Sequence, residues 1–392
     1  MSGEVERWWE SKVSRKKIKG KKALNEALPD QLMLFELLDP NSDKYSQGID
    51  LFDSLPWVVW SRKRSYAINA SGNKFLDDYK KEFQISGKKA TITIPAVQVL
   101  DHKTKNFVDR YPGQKEWMVE KALRKLACSG EAYFEEDKMT LSFRFNQLMN
   151  ILKEMKVNLY THQLLEALQI LGSSKIHIRG EGVDFYSSII DFQKVEDLKK
   201  GDDYYMVSFS KLISQQILNK SYRLYNNKKL GSIGESGGSL AQWLYLKISM
   251  RYIQASETDG YNIHLISIMR DSPMGVSQKR NALEDLIRAV SALKDNNVIS
   301  RYEIEKMLKG QTLEDAKITI YASSEFVADM KKSNFRKKIV NGTLEIGWKD
   351  DGGVIEGNDL KRLISKSRQE AKIIWVDLES KNSRFDLSKT PL

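Results

Sequence analysis

The same order of elements is written twice in this chain, about 120 residues apart, and few folds accommodate it. In the first copy the alternating strand MTLSFRF (139–145) runs into an amphipathic helix over FNQLMNILKEM (145–155). A break at Lys156, Val157 and Asn158 leads to a second helix over THQLLEALQIL (161–171). Gly172, Ser173 and Ser174 stop that helix, and two β-rich runs, KIHIRG and VDFYSSIIDF, flank a turn at Glu181 and Gly182. In the second copy GGSLAQWLYLKISMRYIQ forms a strong helix after a glycine-rich loop, IHLISIMRDS a short helix, and Pro273, Met274 and Gly275 a break. VSQKRNALEDLIRAVSALKDN (276–296) is the next helix, ended by Asn296 and Asn297, and VISRYEI and AKITIYA supply two paired strands. Helix, turn, helix and trailing hairpin is the winged-helix order. The expected fold is therefore α+β, with two tandem winged-helix domains behind a disordered basic N-terminal tail.

The boundaries follow from composition. Residues 1–44 carry Lys12, Arg15, Lys16, Lys17, Lys19, Lys21 and Lys22 with too few apolar residues to form a core, and read as a flexible tail. Residues 45–205 form the first domain, 206–335 the second, and 336–392 an extension whose role is not legible, with a DDGG turn (350–353) and a helix around Asn358–Gln369. Within the first domain ATITIPAVQVL (90–100) reads as a strand. Pro112 opens a helix over GQKEWMVEKALRKLA whose Trp117, Val119, Ala122, Leu123 and Leu126 repeat at helical spacing, with Lys121, Arg124 and Lys125 on the charged face.

Sixty-three Lys and Arg against 52 Asp and Glu leave a net charge of +11, which favours a polyanionic partner. No apolar run approaches the ~20 residues that cross a bilayer, and the N-terminus has no signal-peptide pattern. The lone Cys128 excludes an intramolecular disulfide and a four-cysteine zinc site. The expected location is cytoplasmic.

In the helix from Val276, residues Ala282, Leu283, Leu286, Ala289, Val290 and Leu293 make one apolar stripe. This turns Ser277, Gln278, Arg280, Asn281 and Glu284 outward near the N-terminal end, where a recognition helix meets base edges. Arg280 suits guanine, Gln278 and Asn281 suit adenine, and Lys279 and Arg288 suit phosphates, with Arg301 and Lys306 on the wing as further phosphate contacts. The equivalent first-domain helix exposes Thr161, His162, Gln163, Glu166 and Gln169, with no Arg or Lys. That domain is expected to dimerise, touching the DNA backbone only through Lys175, Arg179, Arg124 and Lys125.

Before the first domain stands QLMLF, in which Gln31, Leu32, Leu34 and Phe35 resemble the bacterial sliding-clamp-binding pentapeptide: an amide to anchor and apolar side chains to fill a pocket. The same residues could form one amphipathic turn against the protein's own surface; their place beside the charged tail favours the exposed reading.

In order along the chain, SLPWVVWSR (54–62), ITIPA (92–96), YPGQKEWMVEKALRKLA (111–127) and LLEALQIL (164–171) resemble the plasmid replication initiator protein A family, and QLMLF followed by two winged helices is similar to the initiators of IncP broad-host-range plasmids. The resemblance spans residues 31–335. It implies a non-catalytic initiator that binds direct repeats (iterons) at a plasmid origin, opens an adjacent AT-rich segment and recruits the host sliding clamp and the replicative helicase with its loader. It also implies a homodimer off DNA, joined through the first domain.

Catalytic alternatives lack their residues. A nicking initiator needs paired histidines for a metal and a tyrosine nucleophile, and His102, His162, His177 and His264 show no His-x-His spacing. Gly20–Lys21 and Gly87–Lys88 lack the rest of a P-loop. No catalytic site, metal or cofactor is expected. A transcriptional regulator repressing its own promoter through the same two domains stays open as the alternative.

Overall fold

The computed structural model describes residues 45–60, 65–67, 76–85, 88–102, 104–128, 132–135, 138–180, 183–196, 203–218, 222–275, 278–340, 346–348 and 354–356. The architecture is α+β, and every strand pair among these residues is antiparallel. Residues 43–334 belong to one compact unit, and a second begins at Phe335.

Strand β1 (Tyr45–Gly48) leads into the single-turn helix α1 (Asp50–Asp53), then β2 (Ser65–Ala67), β3 (Tyr79–Ile85), β4 (Lys88–Ile94), β5 (Val97–Leu100) and β6 (Phe107–Arg110). The stretch 90–100, expected as one strand, is two. Pro95 has no N–H to give a ladder, so β4 stays with β3 while β5 pairs with β6 in another sheet. Helix α2 (Gln114–Leu126) starts at Gly113, whose N–H donates to the Glu116 carboxylate at 2.7 Å, and every residue from Glu116 to Leu126 is buried. It packs against β1 and the two helices that follow β7 (Ala132–Glu135) and β8 (Lys138–Arg144): α3 (Phe145–Glu154) and α4 (Thr161–Ser173).

Lys156 takes a left-handed backbone (φ 60°) to turn the chain between α3 and α4. The hairpin β9 (Lys175–Gly180) and β10 (Val183–Ser188) forms as expected, but the run 183–192 leaves its sheet at Ile189 and continues as β11 (Ile190–Glu196), β12 (Asp203–Phe209) and α5 (Lys211–Leu218). Two four-stranded sheets result, ordered β10-β9-β4-β3 and β11-β12-β8-β7.

Strand β13 (Arg223–Asn226) pairs with β1. Helix α6 (Asn227–Arg251) begins ten residues before the expected start. The expected glycine-rich loop is helical, broken at Gly238, where φ of +67° suits a residue without a Cβ. Two other glycines serve close approach: a Cβ on Gly231 would overlap the Met155 carbonyl, and one on Gly237 the Ala292 side chain. Then come β14 (Tyr261–His264), α7 (Leu265–Asp271), α8 (Lys279–Asp295), β15 (Ile299–Lys309), β16 (Thr312–Ala322) and α9 (Ser324–Val340). The three strands form one sheet, β14-β16-β15. The apolar stripe of α8 is buried throughout, and α8 packs along α6, whose Leu240, Trp243, Leu244 and Ile248 are buried too. At roughly 1.5–3 kcal/mol per buried large apolar side chain, this contact is the main tie holding α8 in place.

In the second unit β17 (Ile346–Trp348) and β18 (Val354–Glu356) pair across residues 349–353, where the DDGG turn is expected. The helix expected around residues 358–369 lies outside the described residues, as does the basic tail.

Candidate nucleic-acid interface

Helix α8 buries one face and presents the other. Gln278, Arg280, Asn281, Glu284 and Arg288 are exposed, and Lys279 is half-buried. Gln278 is the N-cap, but no side chain caps the first-turn N–H groups, and the first turn holds Lys279 and Arg280 with no carboxylate. Cations beside the positive end of a helix dipole are locally unfavourable, so this end is electrostatically suited to an anion.

The neighbouring hairpin is longer than the sequence pattern suggests. β15 and β16 run eleven residues each and turn at Gly310, which has a φ of +59°. Arg280 ties the two elements together: its Nη2 donates to the Gln311 carbonyl at the hairpin tip, 3.0 Å away. The tip exposes Lys306 and Lys309, and with them Met307 and Leu308. Sequence reasoning missed Lys309 and the tip because it ended the first strand at Ile304. The Gly310–Gln311 step between two alternating runs was the available signal.

The other predicted second-domain residues are placed as follows. Asn281 Nδ2 donates to the Gln278 side chain at 3.1 Å, pairing the two amides proposed to read adenine. Arg288 is exposed and faces Asp285 at 3.3 Å. Arg301 stacks on the Tyr321 ring, 3.8 Å from guanidinium carbon to ring centre. Ser277 lies outside the described residues, as do Gln31, Leu32, Leu34 and Phe35 of the clamp-like segment.

The first half is different. Lys175 is exposed beside the Tyr186 ring, and Arg179 faces Asp184 at 3.7 Å, so both remain on the surface of the β9–β10 hairpin. Arg124 and Lys125, expected on a DNA-facing surface, are instead buried. Arg124 has no exposed surface: its guanidinium donates to Asp53 (3.0 Å from Nη1) and reaches Glu120 (2.7 Å from Nε). Lys121 joins the same cluster, 2.6 Å from Asp53 and 2.8 Å from Glu120. Burial would raise the Asp53 carboxyl, but Arg124 and Lys121 outweigh it and hold it down at about 2. The Arg124 guanidinium, which burial alone would disfavour, is driven further up by Asp53 and Glu120. A phosphate cannot reach the Arg124 guanidinium enclosed in this way, which takes Arg124 out of the expected backbone contacts.

The outward face of α4 is also partly covered. The three-stranded sheet β2-β6-β5 lies on it, with Val97, Val99 and Val108 closing on Ile170. Glu166, expected in solvent, is paired with Lys115 at 2.7 Å and with Arg110, while His162 stacks on His102 with ring centres 4.5 Å apart. Thr161 and Gln169 stay exposed, while His162, Gln163 and Glu166 are half-buried.

Among the described residues no group of three or more His, Cys, Asp or Glu side chains is arranged to hold a metal ion, and no helix is long and apolar enough to cross a membrane.

No protein-family model matches the chain, and no curated protein matches it. Among solved structures it is similar to two crystal structures of domains 2 and 3 of RctB, each at 11% identity and a TM-score of 0.40; they cover 64% and 72% of this chain and 92% and 99% of those chains. It is also similar to the Pi initiator protein crystallised in complex with iteron DNA, at 16% identity and a TM-score of 0.35, over 53% of this chain and 91% of that one.

Proposed function

We propose that the chain is a replication initiator that binds repeated duplex DNA sequences at an origin through α8 and the β15–β16 hairpin. The observation that carries this reading is the cationic, uncapped start of α8 beside a projecting hairpin, with Arg280 joining the two. In this reading α6, β14, α7, α8, β15 and β16 are a winged helix, with α8 in the major groove and the hairpin along the backbone. The first half is a second winged helix, modified so that its own helix α4 is sheathed; it holds a partner copy off DNA and adds backbone contacts through Lys175 and Arg179.

Gln31, Leu32, Leu34 and Phe35 recruit the sliding clamp, the helicase and its loader follow, and bending of bound DNA promotes opening of the adjacent segment. A duplex library with a randomised centre tests the DNA reading. Selection should recover a site of roughly 20 base pairs, two successive grooves long, and substitutions in the first turn of α8 should change its sequence. Recovery of no consensus would remove the reading.

A further inference from the structure

Lys81 belongs to β3, far along the chain from α8, yet its ammonium donates to the carbonyls of Ser272 and Met274, the latter at 3.1 Å. Both acceptors lie in the turn between α7 and α8. Ser272 is the residue that ends α7, where a helix leaves carbonyls without internal partners, and Pro273 between them has no N–H to offer. The lysine therefore satisfies, from another sheet, the carbonyls of the turn that aims α8.

Beside this contact lies a cavity of about 330 Å³, lined by Ser54 and Gln84 from the first half and by Lys247, His264 and Arg270 from the second. The β1–β13 ladder also joins the two halves, and at the β3 side Gln84 lines the cavity together with Asp271, the residue before Ser272. Burial lowers the Lys81 ammonium to about 8 although Asp271 nearby acts to raise it, so folding places a charge where charge is disfavoured. An uncharged side chain of the same length would avoid that cost but leave the Ser272 and Met274 carbonyls without their donor.

We propose that Lys81 is a positioning residue for DNA recognition: by holding the α7–α8 turn against β3, it sets the direction of α8 relative to the first half and thus the spacing between the DNA contacts of the two halves. This rests on the DNA-binding reading above. Specificity then depends on a residue that never meets DNA, and full-length sites depend on it more than the segment read by α8 alone.

Lys81→Met tests this, with Lys81→Arg as the variant that can still donate. Two spin labels at the exposed positions Gln98 and Glu303, in a Cys128→Ser background without DNA, report the relative placement of the halves. A narrow distance distribution in the parent should broaden in Lys81→Met and narrow again in Lys81→Arg. The melting temperature of Lys81→Met should change little, because relief from a buried charge is set against two carbonyls that lose their donor. Affinity for the full selected site should fall about tenfold, the worth of one charge-assisted hydrogen bond, while affinity for the α8 half-site stays within about twofold. An unchanged distance distribution overturns the proposal whether or not the protein binds DNA. Equal loss of melting temperature and of binding to both sites reduces Lys81 to a structural role. Failure of the parent protein to bind any selected site refutes the DNA reading, and the label distances still decide whether Lys81 positions the α7–α8 turn.

Discussion

Replacing Arg124 with methionine separates a buried structural cation from a DNA contact. Asp53, Glu120, Lys121 and Arg124 form a charge-balanced cluster, each with almost no exposed surface. Without Arg124 two buried carboxylates share one ammonium. Removing one partner of a buried ion pair costs about 3–5 kcal/mol, because the remaining charge stays desolvated. At roughly 2–4 °C per kcal/mol the melting temperature should fall by about 6–20 °C. Acid should do the same to the parent protein. The folded Asp53 carboxyl titrates at about 2 against 3.8 when unpaired, so its contribution is complete above about pH 4 and is lost as the pH falls through about 2. That difference is worth ~2 kcal/mol. Thermal melts at pH 7 and across pH 2–5 read both effects. The salt dependence of DNA binding, measured well below the melt, supplies the second readout: its slope should match the parent's. A normal melt combined with a slope shallower by about one would mean that Arg124 neutralises a phosphate, and the buried cluster would be wrong.

Arg280→Ala should weaken specific binding by ~1–3 kcal/mol and relax base preference at one position; a loss that is uniform across sequences would make Arg280 a brace for the hairpin tip through Gln311 and not a base reader. Leu34→Ala with Phe35→Ala should abolish binding to a purified bacterial sliding clamp while DNA binding in a mobility shift stays intact, and parallel loss of both would make the segment part of the fold.

How far the sequence could be read depends on the range of the interactions involved. The stripe on α8 and its end at Asn296 are local periodicity and punctuation and the helix carries both, but it starts at Lys279 and not at Val276, with Gln278 as its N-cap. The α3–α4 pair and the β9–β10 hairpin were legible for the same reason. Local signals failed where a distant segment decides the environment. The face of α2 bearing Lys121 and Arg124 looks solvated because Asp53, its partner, stands about 70 residues earlier. The face of α4 looks fully open because the β5–β6 strands that cover part of it come from residues 97–110, and Arg110 reaches Glu166 only in the fold. Lys81 carried no motif at all. In α6 the glycines read as a loop, whereas they are sites of close approach to Met155 and Ala292, and a pattern cannot separate those two uses.

Footprinting on the DNA that flanks the protein's own gene, with the parent protein and the Arg280→Ala variant side by side, tests most directly whether α8 and its hairpin read repeated origin sequences. Regularly spaced protection of direct repeats beside an AT-rich tract is expected, weakened at every repeat in the variant. A single protected inverted repeat over a promoter would contradict origin recognition and favour a transcriptional regulator, and protection that is identical in the variant would take α8 out of the interface.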